Sequence, residues 1–194
     1  MGRAGLSADA VTRAALGIVD DEGPQALTLA RVAAVTGVAT PSLYKHVDGL
    51  PRLRKLVAIE AIRELSGRLS EAVRGRSGGK ALRALMLAYR DYAVERPNRY
   101  QIIPQKLRED SELVAAADEV LHAIIAALRE YELDGPRLIH AARSVRVAAH
   151  GFATLQSSGG FQLAEDVDES YEILIDMIID GVARLSAAPD RQTR

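Results

Sequence analysis

The sequence predicts an all-α protein, and three observations carry that expectation. No segment shows the period-two alternation between turn dipeptides that marks a strand. Aromatic residues make up only 4% of the chain, and Gly, Pro and capping residues punctuate long stretches of helical periodicity. Taken in order, Ala8 to Glu22 forms a leading helix stopped by Gly23-Pro24. Thr28 serves as N-cap of a second helix that ends at Gly37, and Thr40 with Pro41 opens a third as N-cap and first helical residue. Pro51 starts a long helix with the stripe Leu53, Leu56, Val57, Ile59, Ile62, Leu65, Leu69 and Val73. Arg74-Gly75-Arg76-Ser77-Gly78-Gly79 ends it and is the candidate hinge.

Lys80 to Arg96 forms the next helix, stopped by Pro97, and Tyr100 to Lys106, with Pro104 inside it, is short or irregular. Ser111 to Tyr131 is another long helix, closed by Asp134-Gly135-Pro136, and Arg137 to Ser157 runs on to Gly159-Gly160. Asp166 caps the last helix, with Glu169 as its capping-box partner, and residues 188–194 read as a frayed tail. That last helix carries Tyr171, Leu174, Ile175, Ile178, Val182 and Leu185 on one stripe, widened by Ile173, Met177 and Ile179. A helix apolar over so much of its circumference buries more than one face. The helix before it offers Ala141, Ala142, Val145, Ala148, Ala149 and Phe152, mostly small residues that admit a close neighbour. The pair therefore invites a second copy of itself in a four-helix interface, with Val145, Ala149, Leu174, Ile175, Ile178 and Val182 as the candidate contacts.

The 194 residues are enough for a substantial core, and 48% hydrophobic with 26% charged content is that of a globular protein. No run approaches the roughly 18 apolar residues of a membrane span. The start, MGRAGLSADA, lacks the apolar region of a secretory signal, and without cysteine there is neither a disulfide framework nor a thiolate zinc site. Cytoplasmic residence is the expectation. Net charge is only −1, but residues 1–80 carry 12 basic and 8 acidic side chains against 13 and 18 in residues 81–194. A basic N-terminal part and an acidic C-terminal part suit a module facing phosphate joined to one repelled by it.

Residues 28–47, TLARVAAVTGVATPSLYKHV, are the most informative stretch. Ala33 is small where two helices cross, and Gly37 supplies the left-handed conformation of the turn between them. Val32, Val38, Leu43 and Val47 tie both helices to one core, leaving Ser42, Tyr44, Lys45 and His46 outside the apolar set. A short helix that shows hydroxyls, a phenol and a cation to solvent suits a groove of DNA. This is a helix-turn-helix. By its docking geometry Thr40, Pro41, Ser42 and Lys45 are candidates for base edges, while Tyr44, His46 and Thr28 are candidates for phosphates. For His46 the competing reading is an imidazole packed under the helix.

The stretch resembles the DNA-binding domain of the tetracycline-repressor family of transcriptional regulators: a leading helix, the stop at Gly23-Pro24, Thr28 opening the next helix, then V-T-G-V and L-Y-K-H-V. The family places a phosphate-contacting lysine just after this block. Here that slot is Leu50, followed by Pro51, which makes Arg52, Arg54 and Lys55 the candidate replacements. AAHGFATLQSSGGF at 148–161 is similar to the His-Gly segment of the subgroup named for a Trp-His-Gly signature, although this chain has no tryptophan.

The resemblance implies a DNA-binding domain over 5–65 and a helical regulatory and dimerisation domain over 66–187. It implies a homodimeric, ligand-responsive repressor on a palindromic double-stranded operator, with no cofactor and no membrane partner. It also implies a small-molecule pocket between about residues 51 and 160, for which Tyr89, Tyr92, His122, His150 and Phe152 are the candidate lining residues. Read from the residues alone, Tyr89 and Tyr92 are ordinary amphipathic packing, and Gly151 inside a helix makes room for a neighbouring helix or a ligand. No two histidines are three or four residues apart, so no metal pair lies on one helix. An enzyme is not expected, because phosphate loop, nucleophile elbow and cysteine are all missing. The alternatives to a repressor are an activator without an inducer and a helical module that binds only protein.

Overall fold

Ser7 opens the first helix, α1 (Ala8–Glu22), by accepting the Ala10 N–H on its hydroxyl at 3.1 Å, and Gly23 closes it with a positive φ of 86°. From there the chain of this computed structural model, which describes residues 6–104 and 110–187, runs through helices joined by short turns and loops. The further helices are α2 (Leu29–Thr36), α3 (Thr40–Leu43), α4 (Gly49–Val73), α5 (Gly78–Glu95), α6 (Pro97–Gln101), α7 (Ser111–Leu128), α8 (Gly135–Ser157) and α9 (Val167–Ala187). Single 3-10 turns at Pro24–Ala26 and Arg129–Tyr131 complete the elements, and no strand occurs among the described residues. The expected irregular stretch to Lys106 leaves the described residues at 105, and the expected tail over 188–194 lies wholly outside them.

The chain divides into two compact units. Met1–Glu64 is joined by Arg96–Ala117 in the first, and Leu65–Glu95 by Asp118–Arg194 in the second. The first unit is thus discontinuous in sequence, gaining a segment that the linear division assigned to 66–187. Its core gathers Val11, Ala15 and Val19 of α1, Leu27, Val32 of α2, Leu43 of α3 and Leu53 and Val57 of α4, all fully buried. Polar bonds fasten α6 to this unit: Asn98 Nδ2 donates to the Asp20 carbonyl at 3.0 Å, and Arg99 reaches the Asp20 carboxylate (Nε to Oδ1, 2.8 Å) and Glu64 (2.5 Å). These two carboxylates hold the Arg99 guanidinium well above its ordinary pKa.

In the second unit α5, α8 and α9 pack against one another. Leu82, Leu85, Met86, Tyr89 and Tyr92 of α5 are buried, as are Ala141, Ala142, Val145, Ala149 and Ala153 of α8. The small α8 residues allow the close approach that their sequence suggested. Tyr171 of α9 is fully buried, donates its hydroxyl to the Met86 carbonyl at 2.6 Å, and is pushed above the ordinary phenol pKa by that burial. Beside it Arg90, only 9% exposed, lies over the Tyr171 ring (5.0 Å) and the Phe152 ring (5.8 Å), with Gln156 and Asp168 as its polar partners.

This packing corrects the dimer contacts read from the sequence. Val145, Ala149, Ile175 and Val182 are covered by helices of their own chain and have no surface left to offer a second copy. Leu174 and Ile178 are half-buried. The outward apolar residues are instead Ile139 (40% exposed), Val147 (69%) and Leu155 (52%) on α8 and Ile173 (50%) and Met177 (65%) on α9. Spacing identified both apolar stripes of α9 but not which one faces the core.

Candidate nucleic-acid interface

Three local devices shape the α2–α3 pair. Thr28, extended at φ −134°, accepts the Arg31 N–H on Oγ1 at 3.1 Å and so caps α2. Gly37 ends α2 in the left-handed region (φ 68°, ψ 29°), where its N–H and that of Val38 both turn back to the Ala33 carbonyl. Leu43 and Val47 then anchor α3 and the turn after it to the core. One expectation is corrected: the N-cap of α3 is Ala39, extended at ψ 141°, with no side-chain bond, and Thr40 is the first helical residue. Pro41 sits inside the first turn, where a missing N–H costs nothing.

With this backbone, Pro41, Tyr44 (59% exposed) and Lys45 face solvent, and Thr40, Ser42 and His46 are half-buried. Thr28 is exposed one helix earlier, its oxygen occupied as a cap acceptor while its own proton remains a donor. All seven sequence candidates therefore lie in one short stretch of the first unit, anchored by a closed core. Arg31 is held by Glu22 through Nε (2.9 and 3.1 Å) and Nη2 (2.7 Å), and it keeps that carboxyl below its ordinary pKa.

The candidate replacements for the lysine missing at Leu50 are all engaged within the chain. Arg52 is bonded to Glu112, and Lys55 pairs with Asp110 at 2.6 Å and Glu112 at 3.1 Å. The cations depress both carboxyl pKa values. Arg54 turns inward to the Pro24 and Leu27 carbonyls at 3.5 and 3.4 Å. Sequence spacing alone could not show this, because the shared partner Glu112 lies 60 residues beyond Arg52 and 57 beyond Lys55.

The expected effector residues lie in different surroundings of the second unit. Tyr92 is buried under the Arg68 guanidinium (5.1 Å), and Tyr89 is buried too. Phe152 packs between Phe161 (4.7 Å) and Tyr171 (4.6 Å) with its ring tilted to both. His150 is half-buried, with burial and Arg146 lowering its pKa, and His122 lines a separate recess beside Arg74 and Arg129. No metal-holding group of His, Asp and Glu occurs among the described residues. Nor is any described helix long and apolar enough to cross a membrane.

Comparison with known proteins decides what this arrangement is. A family profile described as "Tetracyclin repressor-like, C-terminal domain" matches residues 82–178. An uncharacterised HTH-type transcriptional regulator of Mycobacterium tuberculosis is 34% identical over 190 residues, covering 97% of this chain and 84% of that protein. The chain belongs to the tetracycline-repressor family. A second uncharacterised HTH-type regulator, from Bacillus subtilis, is 30% identical and covers 93% of this chain and 94% of its own. Among solved structures, a variant of TetR from Acinetobacter baumannii in complex with minocycline superposes with a TM-score of 0.71 at 21% identity, over 95% of this chain and all of that one (100%). At that identity the likeness is one of fold. The family member described here is a DNA-binding transcriptional regulator with a helix-turn-helix and a helical C-terminal part.

Proposed function

We propose that the regulator is a ligand-responsive repressor that binds a palindromic operator as a homodimer. Residues 5–65 would read DNA, and residues 66–187 would carry regulation and self-association. The carrying observation is the exposed face of Pro41, Tyr44 and Lys45, fixed by the Gly37 turn and a closed core. Thr40, Pro41, Ser42 and Lys45 are assigned to base edges and Tyr44, His46 and Thr28 to phosphates. Since Arg52, Arg54 and Lys55 are engaged within the chain, phosphate binding falls on these residues near the turn.

Self-association is assigned to the outward faces of α8 and α9, around Val147, Ile173 and Met177, with half-buried Leu174 and Ile178 at their border. Gly151 supports this reading. A Cβ built there meets no atom within 4 Å, so the glycine makes no room for a helix of its own chain. His150 and Gly151 are also what supports placing the regulator in the Trp-His-Gly subgroup. Ligand response is supported by the minocycline-bound protein of like fold. A ligand that shifts the spacing of two recognition helices from the 34–36 Å of successive major grooves would release DNA; a hundredfold release requires about 2.7 kcal/mol of coupling.

The test is retardation of the regulator's own upstream DNA against random DNA over a range of salt. Lys45→Ala should cost about 1–3 kcal/mol and relax base preference, whereas Tyr44→Phe should weaken all sequences alike. Equal affinity for both DNAs at every salt concentration would refute specific recognition.

A further inference from the structure

The second unit holds a recess of about 600 Å³ where α4 ends, the chain turns and α7 ends. Arg74, Arg76, Arg129 and His122 line it together with the hydroxyls of Ser70 and Ser77, and among the described residues no carboxylate does. Val73, Ala123 and Ala126 supply its apolar surface. Gly75, at φ 70°, reverses the backbone so that the arginines on either side of it both reach the same recess.

Arginines after a helix end commonly neutralise its terminal carbonyls. Here that role accounts for one bond, Arg76 Nη1 to the Ala72 carbonyl at 2.8 Å. Backbone amides meet the neighbouring carbonyls: Arg74 N–H bonds to Ser70 and Glu71 (both 3.2 Å) and Arg76 N–H to Val73 (2.9 Å). Arg74 also touches the Glu71 carboxylate at 2.7 Å, but both side chains are largely exposed, and such pairs hold weakly. Arg76 and Arg129 have no ion-pair partner among the described residues. Three arginines thus line one recess with a single exposed ion pair, Arg74 with Glu71, among them, and a guanidinium's planar fork of N–H donors matches a carboxylate or phosphate.

We propose that this recess binds a small organic anion, a carboxylate or phosphate carried on an apolar body. Its volume lies within the roughly 300–1,000 Å³ of small-molecule sites, and its lining pairs a few polar groups with an apolar wall. As the signal that controls DNA, the anion rests on the ligand-responsive reading above; as a binding site, the recess stands without it.

The experiment titrates the full-length regulator calorimetrically with phenyl phosphate and with benzoate, using uncharged benzyl alcohol as the control of like body. At least one anion should bind with a Kd at or below about 1 mM, and benzyl alcohol should not. Which anion binds tighter identifies the headgroup. Arg129→Gln and Arg74→Gln should each weaken binding about tenfold, the loss of one charge-assisted hydrogen bond. Arg13→Gln, an exposed arginine of the first unit, should leave it unchanged. The proposal is overturned if neither anion binds, if benzyl alcohol binds as well, or if the recess variants match the wild type. It is also overturned if Arg129→Gln weakens upstream DNA with no anion present, because the surface then serves nucleic acid. Anion binding that leaves DNA affinity untouched supports the site and removes only the ligand-responsive reading.

Discussion

The α2–α3 pair and the α8–α9 pair are both helical, yet they follow from the sequence in different ways. In the first, short-range devices settle which residues face where: a threonine cap, a left-handed glycine and a buried Leu43 leave Tyr44 and Lys45 only solvent to face. In the second, α9 is apolar on two sides, and the inward side is chosen by α5 and α8, far away in the chain. Where a pattern admits one burial solution it predicts the surface; where it admits two, tertiary packing decides.

That contrast is most sharply broken on α9. Ile175 has no exposed surface and Met177 has 65%. Ile175→Glu should bury an unpaired charge and cost on the order of 3–5 kcal/mol, read as loss of the cooperative thermal transition. Met177→Glu should leave that transition nearly in place and shift the sedimenting species towards monomer. A Met177→Glu protein that sediments like the wild type would move the self-association surface elsewhere.

Two glycines sharpen the comparison with a smaller effect of opposite signs. A Cβ at Gly37 meets nothing within 4 Å, so only its φ of 68° resists substitution. Gly37→Ala should destabilise by about 1–2 kcal/mol in urea unfolding. Gly151 has equal space but lies within α8. Gly151→Ala should stabilise the isolated chain by up to about 1 kcal/mol while weakening self-association if a second copy approaches there.

The smallest effect concerns the engaged cations of the first unit. Asp110 and Glu112 are held below their ordinary values of 3.8 and 4.5 by Lys55 and Arg52. Carboxyls lowered in the folded state add stability above their unfolded pKa, and this is lost as pH falls through the folded one, on the acid side of their ordinary values. Glu112 is exposed and Asp110 only partly covered, so the contribution is slight. In a carboxyl-carbon NMR titration, Lys55→Ala should bring the Asp110 midpoint back up towards 3.8.

Legibility tracked the range of the interactions. Ala8–Glu22 was bounded correctly because Gly23 ends it locally, and Asp166 was recognised as a cap that accepts the Asp168 and Glu169 amides at 2.7 and 3.0 Å. Thr40 was misread as a cap because a hydroxyl before proline resembles one, while the extended Ala39 needs no side chain to take that role. The effector residues were the least legible. Tyr92 and Phe152 are packed by Arg68, Tyr171 and Arg90, none of which a single-helix pattern links to them. The recess beside Gly75 went unnoticed because its arginines come from two helix ends more than fifty residues apart.

The bonds from Asn98 and Arg99 to Asp20 and Glu64 also bear on how the regulator is made. A helix-turn-helix would ordinarily fold as soon as its own residues have left the ribosome, since synthesis at about 5–20 residues per second is slow beside helix formation. Here the carboxylates of Asp20 and Glu64 wait for a guanidinium translated 35 residues after Glu64. These bonds are therefore tied to the arrival of α6, and the nascent first unit lacks them until α5 and α6 have both been made.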